Sequence, residues 1–271
     1  MNSIRVVLAV MVKEKYVTEQ LDSDTAFLKS DLKERVYMEV PYGIEDAGGY
    51  MCRLDKAIYG LKQAASAWNK TIHRVFMKFG FKSCGADQCV YVKEFKGNLI
   101  YVCLYVDDMI IVAKTSKEIQ DVKTRLKKAC KMKELGEAKI ILGMEIDHQR
   151  SAILLTIKQT RYIDDVVERF TQQDAKAVEN PCESGLKLSK FQSPITDAGR
   201  NKMWKKPYRS LIGCLLYITT CTRPDVAYVV TQLSRFLKNQ ENSTGRRPSA
   251  FFVTSRLRRR LGSYTKGAQV H

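Results

Sequence analysis

The sequence predicts an α+β fold in which helices pack on one face of an antiparallel sheet, and three observations lead there. Leu99–Val106 and Met109–Ala113 are apolar, β-branched runs flanking a bare Asp107-Asp108 pair, which reads as two buried strands joined by a tight hairpin. Stripes of apolar residues at helical spacing recur between the strand-like runs, over Ile4–Val17 and Ala64–Phe79, and Lys117–Cys130 reads as a basic helix. The strand-like runs are short and joined by turn residues, Lys96-Gly97-Asn98 among them, so neighbours are expected to pair antiparallel.

Taken in order, Ile4–Val17 carries apolar residues at 4, 7, 8, 11 and 12 with Arg5, Lys13, Glu14 and Lys15 mostly off the stripe. Leu21 and Asp22 end a strand, and Asp22–Leu28 turns into a short helical segment, where Asp22 and Asp24 also suit a capping role. Val36–Val40 is a short alternating strand stopped by Pro41, and Cys52–Leu54 another. Along Ala64–Phe79 the inward set is Ala67, Trp68, Ile72, Val75, Phe76 and Phe79, with Gly80 at the usual C-terminal position. Phe81–Val92 and Leu99–Val106 form a strand pair, and Ile140–Ile146 is a further strand. Leu154–Phe170 gives a strand and an amphipathic helix with Ile163, Val166 and Val167 inward. Glu179–Arg200 is a polar connector, and Tyr208–Leu237 is helical text interrupted by Arg223-Pro224-Asp225.

At 271 residues the chain can bury the core of one large domain or two smaller ones, and its 45% hydrophobic and 28% charged residues are those of a globular protein. A formal net charge of +17 favours a polyanionic partner, nucleic acid first and an anionic membrane surface second, although simple solubility explains charge as well. The cysteines lack paired metal-ligand spacing and read as reduced thiols, and three histidines do not suggest a histidine-rich metal site. No stretch approaches the length of a membrane span, and no cleavage pattern follows Val6–Val12, so an intracellular location, cytoplasmic or nuclear and not secreted, is expected.

Chemistry concentrates at the hairpin. Two adjacent carboxylates at a buried tip repel each other unless cations hold them, and hard divalent cations prefer carboxylate oxygens; the plain alternative is a solvent-facing acidic turn. An antiparallel sheet would set Asp22 beside that tip, and three carboxylates there can hold two cations about 4 Å apart, the arrangement of two-metal phosphoryl transfer.

In this order the residues resemble a known family, the reverse transcriptases of copia-type LTR retrotransposons. Leu21-Asp22-x-x-Thr25-Ala26-Phe27-Leu28 resembles its first palm motif, followed by Tyr37-Met38-x-x-Pro41 with Gly43. Leu54-x-Lys56-x-x-Tyr59-Gly60-Leu61-Lys62-Gln63-Ala64-x-x-x-Trp68 resembles its most recognisable block, and Ala86-Asp87-x-Cys89-x-Tyr91 and the polymerase signature Tyr105-Val106-Asp107-Asp108 come next. Leu142-Gly143-Met144-Glu145 is similar to the primer-grip strand, and Tyr208-Arg209-x-Leu211-x-Gly213 and Thr222-Arg223-Pro224-Asp225 to later blocks. The resemblance implies a polymerase palm with incomplete fingers over 1–150, a thumb- or connection-like region over 151–240, and RNA-directed DNA polymerase activity. Asp22, Asp107 and Asp108 would hold two Mg²⁺, for which Mn²⁺ can substitute, with the Ser23 carbonyl as a further ligand. Phe27 would lie under the sugar of the incoming nucleotide, Gln63 would contact that nucleotide, and Leu142, Gly143 and Met144 would grip the primer. The partners implied are an RNA template, a DNA primer and deoxynucleoside triphosphates, with other Pol polyprotein segments and no membrane. Asp24, Ala65, Glu134 and Ile141 depart from the family's pattern, and a strand-rich fingers segment would be expected ahead of Ile4.

Two other readings stand beside this one: a non-catalytic nucleic-acid-binding remnant of the same kind of polyprotein, and a basic interaction protein whose Asp107-Asp108 hairpin is a plain turn. The ordered motifs speak against the latter. Over 241–271 the resemblance stops, and the text, rich in Arg, Ser and Gly, reads as a disordered basic tail. A sharper alternative is an out-of-frame tail, because codons exist for 243–265 whose one-nucleotide displacement reads a helix like the family's next one.

Overall fold

The structure, a computed structural model, describes residues 2–44, 48–172 and 207–235. The chain divides into two compact units, one up to Ala138 and one from Lys139 onward.

The first unit runs α1 (Asn2–Lys13), β1 (Val17–Ser23), a 3-10 turn at Ala26–Lys29, β2 (Asp31–Glu39), β3 (Met51–Lys56), α2 (Ala64–Lys78), β4 (Lys82–Ser83), β5 (Val90–Phe95), β6 (Asn98–Tyr105), β7 (Asp108–Ala113), α3 (Ser116–Ala129) and β8 (Met132–Gly136). Six strands form an antiparallel sheet in the order β4-β5-β6-β7-β1-β8, while β2 and β3 pair apart from it as a two-stranded ribbon. Helix α2 forms on the expected stripe: Trp68, Ile72 and Phe76 recur every four residues and are at most 1% exposed. Each such burial contributes about 1.5–3 kcal/mol over an exposed side chain, enough to anchor the helix without unusual propensity. Helix α3 opens on a capping box, in which the Thr115 hydroxyl accepts from the Glu118 amide and the Glu118 carboxylate accepts from the Thr115 amide.

The helices do not all lie on one face. Leu21, Val102, Leu104, Met109 and Ile111 point into a core shared with α2 and α3. The residues that alternate with them, Cys103, Ile110 and Val112, are also buried, and α1 covers that side. At one end of α1 the Ser3 hydroxyl bonds the Asp87 carboxylate, and at the other Glu14 and Tyr16 lie beside Tyr101. The physical reason was present in the sequence: Met109–Ala113 does not alternate, and a strand apolar on both faces needs cover on both.

Other boundaries differ from expectation for local reasons. The first helix ends at Lys13, Lys15 turns the chain through a φ of 55°, and β1 already begins at Val17. Strand β2 starts at Asp31, joined to Lys56 of β3 by an ion pair of 2.5 Å. The run Phe81–Val92 is broken between β4 and β5 by a turn at Asp87, whose carboxylate accepts from the Cys89 amide at 2.9 Å. Strand β8, a charged and mostly exposed edge beside β1, had no sequence signal at all. In the hairpin, Tyr105 pairs with Asp108, so the turn is Val106-Asp107 and Asp108 belongs to β7, one residue from the expected Asp107-Asp108 break.

The second unit contains β9 (Ile140–Ile141), β10 (Met144–Gln149), β11 (Leu154–Lys158), α4 (Thr160–Arg169), α5 (Tyr208–Cys221) and α6 (Ala227–Ser234). Its sheet has the order β11-β10-β9, so the segment expected as one strand over Ile140–Ile146 is a hairpin with Leu142 and Gly143 at its turn, both at positive φ. Among the described residues β9 and β10 pair within this second sheet. Ile163 and Val166 of α4, and Phe170 just after it, pack with Leu211, Leu215 and Ile218 of α5 and Val230 and Leu233 of α6. The Tyr208 hydroxyl donates to the Leu233 carbonyl at 2.8 Å, and Arg223 forks onto Asp225 at 2.9 Å through two nitrogens where α5 hands over to α6. The connector at 179–200 and the tail at 241–271 lie outside the described residues. Among the described residues the cysteines are free thiols, and no helix is long and apolar enough to cross a membrane.

Candidate functional site

The end of the six-stranded sheet gathers the acids. In the β1–β7 ladder Asp22 sits directly opposite Asp108, and directly opposite residues carry their side chains on the same face. Asp107 joins them through the backbone, its carbonyl accepting from the Ser23 amide at 2.9 Å. Burial first, then the charges of Asp108, Asp107 and Asp24, push the Asp22 carboxyl above the usual carboxylate range, while Lys133, across β8, opposes the shift. Asp24 is itself tied to Lys131 at 3.1 Å.

The turn that carries Asp107 is strained and pinned. Val106 holds a φ of 53°, a left-handed conformation that a β-branched side chain rarely adopts and that costs about 1–3 kcal/mol. Its carbonyl accepts the indole N–H of Trp68 at 2.7 Å, so the buried ring of α2 fixes the tip of the hairpin. The motif residue Trp68 is thus a structural support of the acid site.

The side chains at the tip are engaged by neighbours. The Tyr59 hydroxyl donates to Asp107 Oδ2 at 2.5 Å, and Gln20 Nε2 donates to Asp108 Oδ1 at 3.1 Å. The bond to Asp107, burial, and the charges of Asp107 and Asp22 push the Tyr59 phenol up to about 12. Asp107 Oδ1 is buried without a hydrogen-bond partner, as is the Ser23 hydroxyl. Among the described residues, no three His, Cys, Asp or Glu side chains are arranged as a ready metal shell. What the backbone brings together, Tyr59 and Gln20 hold in hydrogen bonds. A partnerless buried carboxylate oxygen next to two repelling acids nevertheless fits an oxygen-preferring divalent cation.

Of the remaining expected residues, Phe27 is 8% exposed, belongs to the core shared with α2 and α3, and lies with its ring centroid 4.4 Å from that of Tyr59. Gln63 stands at the N-terminus of α2 and its carbonyl accepts from the Ala67 amide at 2.9 Å. Leu142 and Gly143 form the β9–β10 turn in the second unit, Met144 is fully buried, and the Tyr217 hydroxyl donates to the Leu142 carbonyl. Tyr59 and Gln20 are the residues that sequence reasoning passed over. Gln20 had a signal, two residues before Asp22 and so on its face of β1. Tyr59 sits in a loop and had none beyond membership of a motif.

Residues 1–184 match the sequence family described as reverse transcriptase (RNA-dependent DNA polymerase). The chain is 43% identical over 242 residues, 88% of its length and 18% of the relative's, to the retrovirus-related Pol polyprotein from transposon TNT 1-94 of Nicotiana tabacum. It is 34% identical over 239 residues to the retrovirus-related Pol polyprotein from transposon RE1 of Arabidopsis thaliana, covering 87% of this chain and 16% of that one. To the putative transposon Ty5-1 protein of Saccharomyces cerevisiae it is 32% identical over 252 residues, 90% of this chain and 79% of the relative. The chain thus spans less than a fifth of the two long polyproteins.

Proposed function

The chain belongs to the reverse transcriptase (RNA-dependent DNA polymerase) family, and from that premise we propose that it is the polymerase segment of a copia-type retrotransposon Pol polyprotein, adding deoxynucleotides to a primer 3′-hydroxyl on an RNA template. The observation that carries the proposal is the β1–β7 register, which sets Asp22 opposite Asp108 with Asp107 bonded alongside. Asp22, Asp107 and Asp108 would hold two Mg²⁺, or Mn²⁺ in their place, with the Ser23 carbonyl as a further oxygen ligand. When bound, these ions supply the charge that lowers the pKa of the attacking hydroxyl and neutralises the triphosphate.

The chain's own residues do the rest. The six-stranded sheet would be the palm and the β2–β3 ribbon part of the fingers. Phe27, fixed by core packing, would lie under the nucleotide sugar, where bulk excludes a 2′-hydroxyl. Gln63, at the mouth of α2, contacts the incoming nucleotide, and the Leu142-Gly143-Met144 turn approaches the primer. Lysines and arginines, the source of the +17 charge, bind the phosphates of primer and template.

A second reading, a non-catalytic nucleic-acid-binding remnant, is favoured by the hydrogen bonds that the Asp107 and Asp108 carboxylates accept from Tyr59 and Gln20. Primer extension on poly(rA)·oligo(dT) separates the two. The polymerase reading expects extension by the wild type, none by Asp107→Asn, and unchanged RNA–DNA binding by both. Wild-type protein that binds the duplex but never extends it establishes the remnant, and equal extension by Asp107→Asn refutes the assigned carboxylates.

A further inference from the structure

Tyr59 occupies the place where a cation would reach Asp107. Of the two Asp107 oxygens, Oδ1 is buried and Oδ2 is taken by the Tyr59 hydroxyl, which also feels the charge of Asp22. An ion that takes Oδ2 must therefore displace the phenol. The phenol O–H does in part what the ion would do: it places positive charge density between two acids that repel each other. Tyr59 is 56% exposed, and it is followed by Gly60 at a φ of 96° with no atom within 4 Å of where a Cβ would stand. The exposed side leaves room for the ring to swing off Asp107. The same ring lies 4.4 Å, centroid to centroid, from Phe27 at a tilt of 59°, so moving it uncovers a face of Phe27 as well.

We infer that Tyr59 is a latch on the acid site: its hydroxyl holds Asp107 Oδ2 in the metal-free protein and must let go when a divalent cation binds, so that metal entry and exposure of Phe27 become one event. The inference rests on the metal-binding reading of the three acids. It makes Tyr59 a positioning residue that opposes metal binding, the reverse of what a supporting second partner of a metal ligand would do.

The full chain and its Tyr59→Phe variant are titrated with Mn²⁺, and free Mn²⁺ is counted by electron paramagnetic resonance. Removing a competing, partly exposed hydrogen bond to a carboxylate should tighten the first Mn²⁺ by about three- to tenfold. The phenyl ring keeps its contact with Phe27, and circular dichroism checks the fold. Independently of any variant, wild-type protein should show a tyrosine ultraviolet difference signal on adding Mn²⁺, absent from Tyr59→Phe. Equal or weaker Mn²⁺ binding by Tyr59→Phe overturns the latch, as does a wild type whose tyrosine signal is silent at saturating Mn²⁺. Should Asp107→Asn abolish Mn²⁺ binding while Tyr59→Phe leaves it unchanged, the metal site stands and the latch alone falls. If Asp107→Asn leaves binding untouched, the metal reading falls and takes the latch with it.

Discussion

Replacing Trp68 by Phe tests whether the strained hairpin tip depends on a single donor from α2. The indole N–H bonds the Val106 carbonyl at 2.7 Å, and the ring is 1% exposed. Phenylalanine keeps most of the apolar contact but supplies no donor, leaving a half-buried carbonyl without this partner, at a cost of about 1–3 kcal/mol. The smaller ring leaves unfilled space as well, and at roughly 24 cal/mol per Å³ a few tens of Å³ add about 1 kcal/mol. Together the loss is about 2–4 kcal/mol, a large part of the stability of an ordinary domain. Urea unfolding followed by far-ultraviolet circular dichroism should show the first unit's midpoint falling with an unchanged slope. Because the tip carries Asp107, Mn²⁺ affinity should fall in parallel even under conditions where Trp68→Phe is fully folded. A loss below about 0.5 kcal/mol would refute the argument, showing that the carbonyl has no need of the indole and that Val106 holds its conformation unaided.

Further outcomes follow from the charges. Asp22 is held above its ordinary pKa, so the folded protein binds that proton more tightly than the unfolded chain, and the ionised group destabilises the metal-free fold at neutral pH. Asp22→Asn should therefore raise the melting temperature in EDTA by roughly 1–3 °C, and added Mg²⁺ should stabilise the wild type but not the variant; a lower melting point in EDTA would contradict the repulsion. Glu134 is held below its usual range by hydrogen bonds from Lys123 and Lys127, so its contribution is present at neutral pH and is lost as pH falls through the acid range below the ordinary carboxylate value. Glu134→Gln should flatten that acid limb of the stability–pH curve, and an unchanged limb would show the ion pairs to be inert. Binding to an RNA–DNA duplex should weaken steeply as salt rises, by fluorescence anisotropy; a flat dependence would argue against a phosphate-tracking surface.

Much of the site could be read from residues alone because the sheet rewards strict patterns. Trp68, Ile72 and Phe76 announced the buried face of α2, and two apolar runs around a pair of acids announced the hairpin. What escaped was conformational or cross-chain. Val106 in a left-handed turn is invisible because valine is among the residues least expected there, so the expected break fell one residue late. Gly143 was the local hint that Ile140–Ile146 was a hairpin, since it interrupts the apolar stretch Ile140–Met144. Strand β8 carries Lys133 and Glu134 because it is an edge, where exposure overrides strand propensity. Tyr59 meets Asp107 across 48 positions of sequence, and no local rule couples a loop tyrosine to a distant carboxylate.

The β1–β7 pairing also dictates when the acid site can exist during folding. The β6–β7 hairpin closes locally and can form in microseconds. It then displays Asp107 and Asp108 with nothing opposite them. The partner acid arrives only when β1 is recruited from far upstream, a separation of 88 residues at the Gln20–Asp108 bond, and the closure entropy of that loop must first be overcome. A one-residue error in that recruitment would turn Asp22 to the opposite face and Leu21 out of the core, so the burial of Leu21 against Met109 acts as the proofreader of the chemistry. A nascent chain released before the sheet closes, or a fragment that begins after β1, has the signature acids and no site.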